Sequence, residues 1–160
     1  MQLDQKISIQ RLGKSDASAA AKFFRKNLKT PSYHSEEIRD DIKSYSARSL
    51  SKSIKNRNLI FLTAQSDGEV VGLIFCSTYK GTGWIDWVVV ESAYRRMGIG
   101  KKLIKEAEWI MRNNTSRIWA DTTTGNLGAI KMLDGLGYKK IAVLGHYYNK
   151  DNKIILEKIL

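Results

Sequence analysis

Apolar and polar residues alternate along "KISIQRL", which predicts a first strand. The spacing then lengthens to three and four residues in "GKSDASAAAKFFRKNL". This predicts a helix with Ala20, Phe24 and Leu28 on one face and Ser15 or Asp16 placed to cap it. "TPSYH" breaks the pattern, and a second helix is predicted to begin near Ser35, with Glu36 and Glu37 in its first turn and Ile38, Ile42 and Tyr45 as its apolar stripe. "NLIFLTAQ" and "EVVGLIFCSTY" flank the short turn "SDG" and read as an antiparallel hairpin. "WIDWVVV" follows "KGTG" as a fourth strand.

Helical spacing returns after the glycines of "MGIGKK", with Leu103, Ala107, Ile110 and Met111 on one face. "RIWADTTT" is a fifth strand, and Asn126 to Leu136 a helix with Ala129, Met132, Leu133 and Leu136 inward and Gly137 as its stop. "YKKIAVL" and "NKIILEKIL" close the chain as two strands joined by a loop, "GHYYNKD". The expected order is β-α-α-β-β-β-α-β-α-β-β, an α/β chain whose largely antiparallel beginning leads into one β-α-β crossover. There is no internal repeat or linker, so residues 1–160 are expected to form one domain.

Composition narrows the classes. At 160 residues and 42% hydrophobic, the chain can bury one good core. Its longest apolar runs are far shorter than the roughly 20 residues of a membrane span, and "MQLDQKISIQ" has no apolar signal core, so a soluble cytoplasmic protein without membrane partners is expected. Cys76 is the only cysteine and lies in an apolar strand, which leaves no internal disulfide and no cysteine-rich metal site; no metal is expected. The net charge of +11 favours polyanionic partners, but the cations are spread along the chain, and charge alone does not separate nucleic acid from a phosphate-rich cofactor.

"AYRRMGIGKKLI" sharpens that choice. Gly98 and Gly100 lie between Arg95, Arg96, Lys101 and Lys102, after a strand and before a helix. A triphosphate loop G-x-x-x-x-G-K-[ST] would need glycine at Arg95 and a hydroxyl at Lys102. A dinucleotide loop G-x-G-x-x-G would need a small residue at Leu103. What remains is [RQ]-x-x-G-x-[GA], in which backbone N–H groups at a helix start face a pyrophosphate.

From about Trp84 to Tyr138 the chain resembles the GNAT superfamily of acyl-CoA-dependent N-acyltransferases, through "VVVESAYRRMGIGKKLI", "RIWAD" and "NLGAIKMLDGLGY" in order. The resemblance implies an α+β fold with a mixed, mostly antiparallel sheet whose fourth and fifth strands splay to admit acyl-CoA. It implies that backbone groups of Val88 and Val90 run along the pantetheine arm, that the N–H groups of Arg96, Met97, Gly98, Ile99, Gly100 and Lys101 surround the pyrophosphate next to Arg95, and that Asn126 bonds the cofactor arm. Two positions depart from the family pattern. Ser92 stands where proline is frequent, and Leu133 stands where many members carry a tyrosine that protonates the leaving thiolate.

The reaction so implied is direct attack of a neutral amine on the acetyl-CoA thioester, which needs a route for the amine proton. Asp86 and Asp121 are the candidate bases, and the residues do not choose between them. "WAD" and "YYNKDNKIILEKIL" resemble the branch that acetylates protein N-termini and ribosomal proteins. Tyr147 or Tyr148, beside His146, would then line the acceptor site or replace the missing acid. His34 carries no expected role. Glu36, Glu37, Asp40 and Asp41 complement a helix dipole, or form an acidic rim suited to a cationic acceptor. The expectation is an acetyl-CoA-dependent N-acetyltransferase, monomeric or homodimeric, acting on a peptide or protein amine or a polyamine-like metabolite. The alternative is a noncatalytic CoA-binding or nucleic-acid-binding module; the scattered cations and few aromatics disfavour nucleic acid.

Overall fold

The computed structural model describes residues 6–28, 35–148 and 151–160, with backbone alone at 35–39, 147, 148 and 151. Among the described residues seven strands form one sheet in the order β1-β2-β3-β4-β5-β7-β6. They are β1 (Ser8–Arg11), β2 (Leu59–Ser66), β3 (Glu69–Tyr79), β4 (Thr82–Val90), β5 (Arg117–Thr123), β6 (Lys139–Tyr148) and β7 (Asp151–Ile159). Every pairing is antiparallel except β4 with β5. Two tight turns build the β2-β3-β4 meander. Asp67 and Gly68 lie at φ 50° and 82°, and Lys80 and Gly81 at 46° and 80°, so both turns have the left-handed central pair whose twist matches that of the flanking strands.

Helices cover both faces. On one, α4 (Ile99–Met111) and α5 (Leu127–Asp134) close a core containing Leu103, Ala107, Met111, Ile118, Leu133 and Leu156. On the other, α1 (Ala17–Asn27) and α3 (Ala47–Ser53) cover Phe61, Leu73, Phe75 and Val89, while α2 (Ser35–Ser44) runs between them in the chain. Ala20, Phe24 and Leu28 are buried together, as the spacing predicts. Phe24 lies at ring-centroid distances of 5.2, 5.3 and 5.4 Å from Tyr45, Phe75 and Trp87, which fastens α1 to the sheet. Among the described residues no helix is long and apolar enough to cross a membrane.

Three local expectations are corrected. Asp16 holds the cap position of α1 after a short 3₁₀ turn, but its side chain makes no capping bond. A separate α3 follows α2, its first turn closed by Ser46, whose Oγ accepts from the Ser49 N–H at 3.3 Å. Tyr45 therefore sits in the joint between the two helices and stacks on Phe75 at 4.4 Å. "GHYY" is not simply loop: β6 continues to Tyr148, which pairs with Asp151 after an irregularity where His146 takes φ 52° and its N–H bonds Asn152 Oδ1.

A buried ion pair ties the two sides of the crossover together. Glu108 of α4 is only 4% exposed and meets Lys158 of β7 at 2.7 Å, and the Lys158 ammonium lies 5.6 Å from the Tyr138 ring centroid. Burial and the neighbouring Glu108 carboxylate hold the Tyr138 hydroxyl well above the usual tyrosine range.

Phe24 is 1% exposed and anchors the α1 layer, so Phe24→Ala is expected to destabilise the protein by about 3–5 kcal/mol. Urea unfolding checks this, with an unchanged m-value showing that native-state stability is what moved.

Candidate active site

The parallel pairing of β4 with β5 is short. It runs from Thr82 opposite Arg117 to Ile85 opposite Ala120, and then the strands part. Asp86 and Asp121 are the next residue on each strand, so both candidate carboxylates stand at the fork. Beyond it, the Glu91 N–H bonds the Val71 carbonyl on β3, and by strand alternation Val88 and Val90 turn their backbone groups toward the gap. The Val90 carbonyl takes a bond from Arg95 Nε at 3.1 Å.

A bulge sets which way Asp86 faces. Ile85 is opposite Cys76 and Trp87 opposite Phe75, leaving Asp86 as an extra residue. Before the bulge Ile85 packs in the α4 core; after it Val88 and Val90 do, while Trp87 and Val89 pack under α1. Trp84, Asp86 and Trp87 consequently share the sheet face opposite α4. On that face α1 and α3 cover the β2-β3 side and leave a cavity of about 480 Å³ lined by Ser77, Trp84, Asp86, Trp119 and the β3–β4 turn.

The two carboxylates differ in company. Asp121 is held on both oxygens, Oδ2 by Lys153 at 2.8 Å and Oδ1 by the Trp84 indole N–H at 3.2 Å. Asp86 accepts a bond from Ser77 Oγ at 3.2 Å. Burial pushes the Asp86 carboxyl up to about 7, the Ser77 bond pulling against this and the charges of Asp121 and Asp41 adding to it. Burial likewise raises Asp41, against the lowering effect of its bond to Trp87. The structure thus separates two residues that the sequence leaves equivalent.

The glycine loop lies at the open end of the fork. Arg96 and Gly98 have φ of 64° and 79°, and Gly98 is the N-cap of α4. The first helical bond is Lys102 N–H to the Gly98 carbonyl, which leaves the N–H groups of Ile99, Gly100 and Lys101 without an intrahelical acceptor. Arg95, Arg96, Met97, Lys101 and Lys102 are exposed around them. The two glycines serve different ends. Nothing lies within 4 Å of where a Gly98 side chain would begin, so its requirement is the left-handed backbone; a Cβ on Gly100 would come 3.1 Å from Met132 Sδ, so its requirement is the close packing of α4 on α5.

Asn126 caps α5: its Oδ1 accepts from the Ala129 N–H and its Nδ2 donates to Thr122 Oγ1. Leu133 is buried in the core, as an aliphatic residue at that position should be. Tyr147 and Tyr148 lie on β6, with side chains outside the described residues, as are those of Glu36 and Glu37; His34 lies outside altogether. Of the acidic cluster, only the Asp40 and Asp41 side chains are described, and the charge of Asp41 reaches Asp86. Asp40 pairs with Lys43 at 3.5 Å and Asp41 bonds Trp87. Sequence reasoning missed Ser77, Trp84, Trp119 and Lys153, although the alternation of "WIDW" and "RIWAD" puts each tryptophan two residues before its aspartate on the same side. Among the described residues no group of His, Cys, Asp and Glu is arranged to hold a metal.

The sequence profile of the acetyltransferase (GNAT) family matches residues 21–138. The chain belongs to this family. A related N-alpha-acetyltransferase of Sulfurisphaera tokodaii is 30% identical over 109 residues, 59% of this chain and 65% of that protein. Human N-alpha-acetyltransferase 30 is 28% identical over 131 residues, 78% of this chain and 36% of that protein, so the GNAT chain spans less than two thirds of either. The crystal structure of the PaiA N-acetyltransferase from Thermoplasma acidophilum in complex with coenzyme A superposes with a TM-score of 0.81 at 22% identity, covering 97% of this chain and 99% of that one. That likeness establishes the GNAT fold, including the single parallel pair beside the fork.

The raised Asp86 carboxyl carries a stability consequence. A group whose folded value of about 7 lies above its ordinary 3.8 favours folding while protonated, so its contribution is full below about pH 4 and is lost as pH rises toward 7. Asp86→Asn is expected to remove that loss, stabilising the protein at pH 8 by on the order of 4 kcal/mol at most and leaving pH 4 nearly unchanged. Urea unfolding of both proteins at the two pH values measures the difference.

Proposed function

We propose that this GNAT chain transfers an acetyl group from acetyl-CoA to a primary amine by direct attack, with residues 1–160 acting as one N-acetyltransferase domain. The observation that carries the reading is the coincidence, at one fork, of a carboxyl poised near neutrality with unpaired backbone groups and a cationic helix start. Acetyl-CoA supplies an activated acetyl thioester when bound. The N–H groups from Arg96 to Lys101 fit its pyrophosphate, reinforced by the surrounding cations, and the strand edge at Val88 and Val90 fits the amides of its arm. Asn126, whose side chain caps α5, offers the remaining polar contact along that arm.

Asp86 is the base in this reading. Its carboxylate takes the proton that an incoming ammonium must lose before its nitrogen lone pair can attack, and a value near 7 keeps it both available and basic at neutral pH. Ser77 and the bulge hold it in place. Asp121 positions: clamped between Lys153 and Trp84, it supplies negative charge beside Asp86 and fixes the indole. With Leu133 in the core, the proton for the departing thiolate comes from elsewhere, and Tyr147 or Tyr148 remains the candidate. The names of the related N-alpha-acetyltransferases favour a peptide or protein α-amine as acceptor. A binding module alone has no need of a desolvated carboxyl at the fork.

Free-thiol release from acetyl-CoA across a panel of peptides, lysine and polyamines tests the reading; binding of acetyl-CoA with no amine-dependent release sinks it. Asp86→Asn is expected to lower kcat/KM by about 10²–10⁴ and to abolish an acid limb near pH 7, below which the wild-type rate falls as the base is protonated. Asp121→Asn is expected to cost less and to leave that limb present. Gly98→Val forces a β-branched residue into a left-handed backbone, at about 1–2 kcal/mol, and is expected to weaken acetyl-CoA binding roughly tenfold in calorimetry.

A further inference from the structure

The cavity beside Asp86 has a chemistry that the acetyl-transfer reading does not use. Trp84 and Trp119 stand edge to face with ring centroids 5.5 Å apart. Both indole N–H groups are already committed away from the cavity's needs: Trp84 donates to Asp121, and Trp119 to Glu157 Oε2 at 2.8 Å. Glu157 is itself paired with Arg117 at 3.4 Å. What the half-buried indoles have left to offer is carbon surface, held rigidly because each ring is pinned at its polar end.

Exposure grades along the recess. Tyr79 and Lys80 are exposed at the β3–β4 turn, and Thr82, Trp84, Asp86 and Trp119 are half-buried. Lys80 sits 5.3 Å from the Tyr79 ring centroid, so a cation already occupies the aromatic surface at the outer end. The nearby carboxylates Asp121 and Glu157 are neutralised by Lys153 and Arg117. Among the residues that line the recess, a second positive charge on an acceptor would therefore meet an ammonium, and the one carboxyl there is the base itself.

Resting on the reaction proposed above, we infer that the recess formed by Trp84, Trp119 and Tyr79 is a specificity subsite that takes a large apolar side chain adjoining the acceptor amine, with Lys80 excluding a second cation. Its volume of about 480 Å³ falls within the range of about 300–1,000 Å³ typical of ligand sites, ample for a leucine or phenylalanine side chain with part of the following peptide unit. This deepens the acceptor reading: a peptide beginning with a bulky apolar residue is favoured over a polyamine.

Short peptides identical except for a first residue of Phe, Leu, Gly or Lys, together with spermidine, provide the test, using the intact protein and saturating acetyl-CoA. Phe- and Leu-first peptides are expected to exceed the Gly-first peptide in kcat/KM by about 10–100-fold, with the Lys-first peptide and spermidine lowest. Trp119→Ala is expected to bring the Leu/Gly ratio to within about twofold of unity. Lys80→Glu, a change at an exposed turn, is expected to raise the Lys-first peptide relative to the Leu-first one by roughly tenfold. Equal kcat/KM for all first residues while acetyl transfer proceeds overturns the subsite and leaves the reaction standing. If no amine releases thiol, the reaction falls. Calorimetric titration with phenylalanine amide and glycinamide then reads the recess directly, and equal affinities overturn the subsite as well.

Discussion

The parting of β4 from β5 after Ile85 and Ala120 is the constraint on which the rest depends. A sheet gains by pairing its backbone groups, and leaving them unpaired in a protein interior is costly unless another partner satisfies them. Here the gap is kept open from both sides. Past the bulge at Asp86, β4 stays paired with β3 as far as Val90, and on the far side β5 remains paired with β7 through Thr123. The α4 helix then starts directly over the mouth of the gap, because β4 ends at Val90 and a short 3₁₀ turn carries the chain to Gly98. A backbone edge, a helix start and two carboxylates are brought together by one interruption in hydrogen bonding.

Much of this was legible in the sequence, for identifiable reasons. The strands, the helix after the glycine loop and the buried stripe Ala20–Phe24–Leu28 follow from periodicity, and the glycine loop from its spacing between a strand and a helix. What was not legible depends on tertiary partners. The extra helix α3 has a serine cap in "SARSL" but is too short to announce itself by period. The extension of β6 through "GHYY" follows from β7 lying alongside it. Asp86 and Asp121 look equivalent in "WIDW" and "IWAD"; only a bulge on one strand and a lysine brought from residue 153 distinguish them. The roles of Gly98 and Gly100 also look alike in the sequence, whereas one answers to its own dihedral angles and the other to a methionine on the next helix.

The charge pattern reads differently once placed. A net charge of +11 suggests a broadly basic surface, yet the site face is an arrangement of matched pairs: Lys153 with Asp121, Arg117 with Glu157. Asp86 has no cation paired with it in this way, and its ionisation is governed by desolvation, as that of Asp41 is, with its like-charged neighbours adding to the shift. The excess cations near the glycine loop lie on the other side of the gap. The fold thus separates an anion-seeking end from an acid-base centre by the thickness of one sheet.

β7, the later partner of β6 in the chain, is inserted in the sheet between β5 and β6. It also carries Lys153, Glu157 and Lys158, which engage Asp121, Trp119 and Glu108 respectively. A single event, the docking of this one strand, therefore finishes the sheet, immobilises the Trp119 indole, compensates a carboxylate at the fork and covers the buried acid on α4. Without that strand Asp121, the Trp119 indole and Glu108 would each lose the partner described here, so the charge balance of the site depends on the strand that completes the sheet.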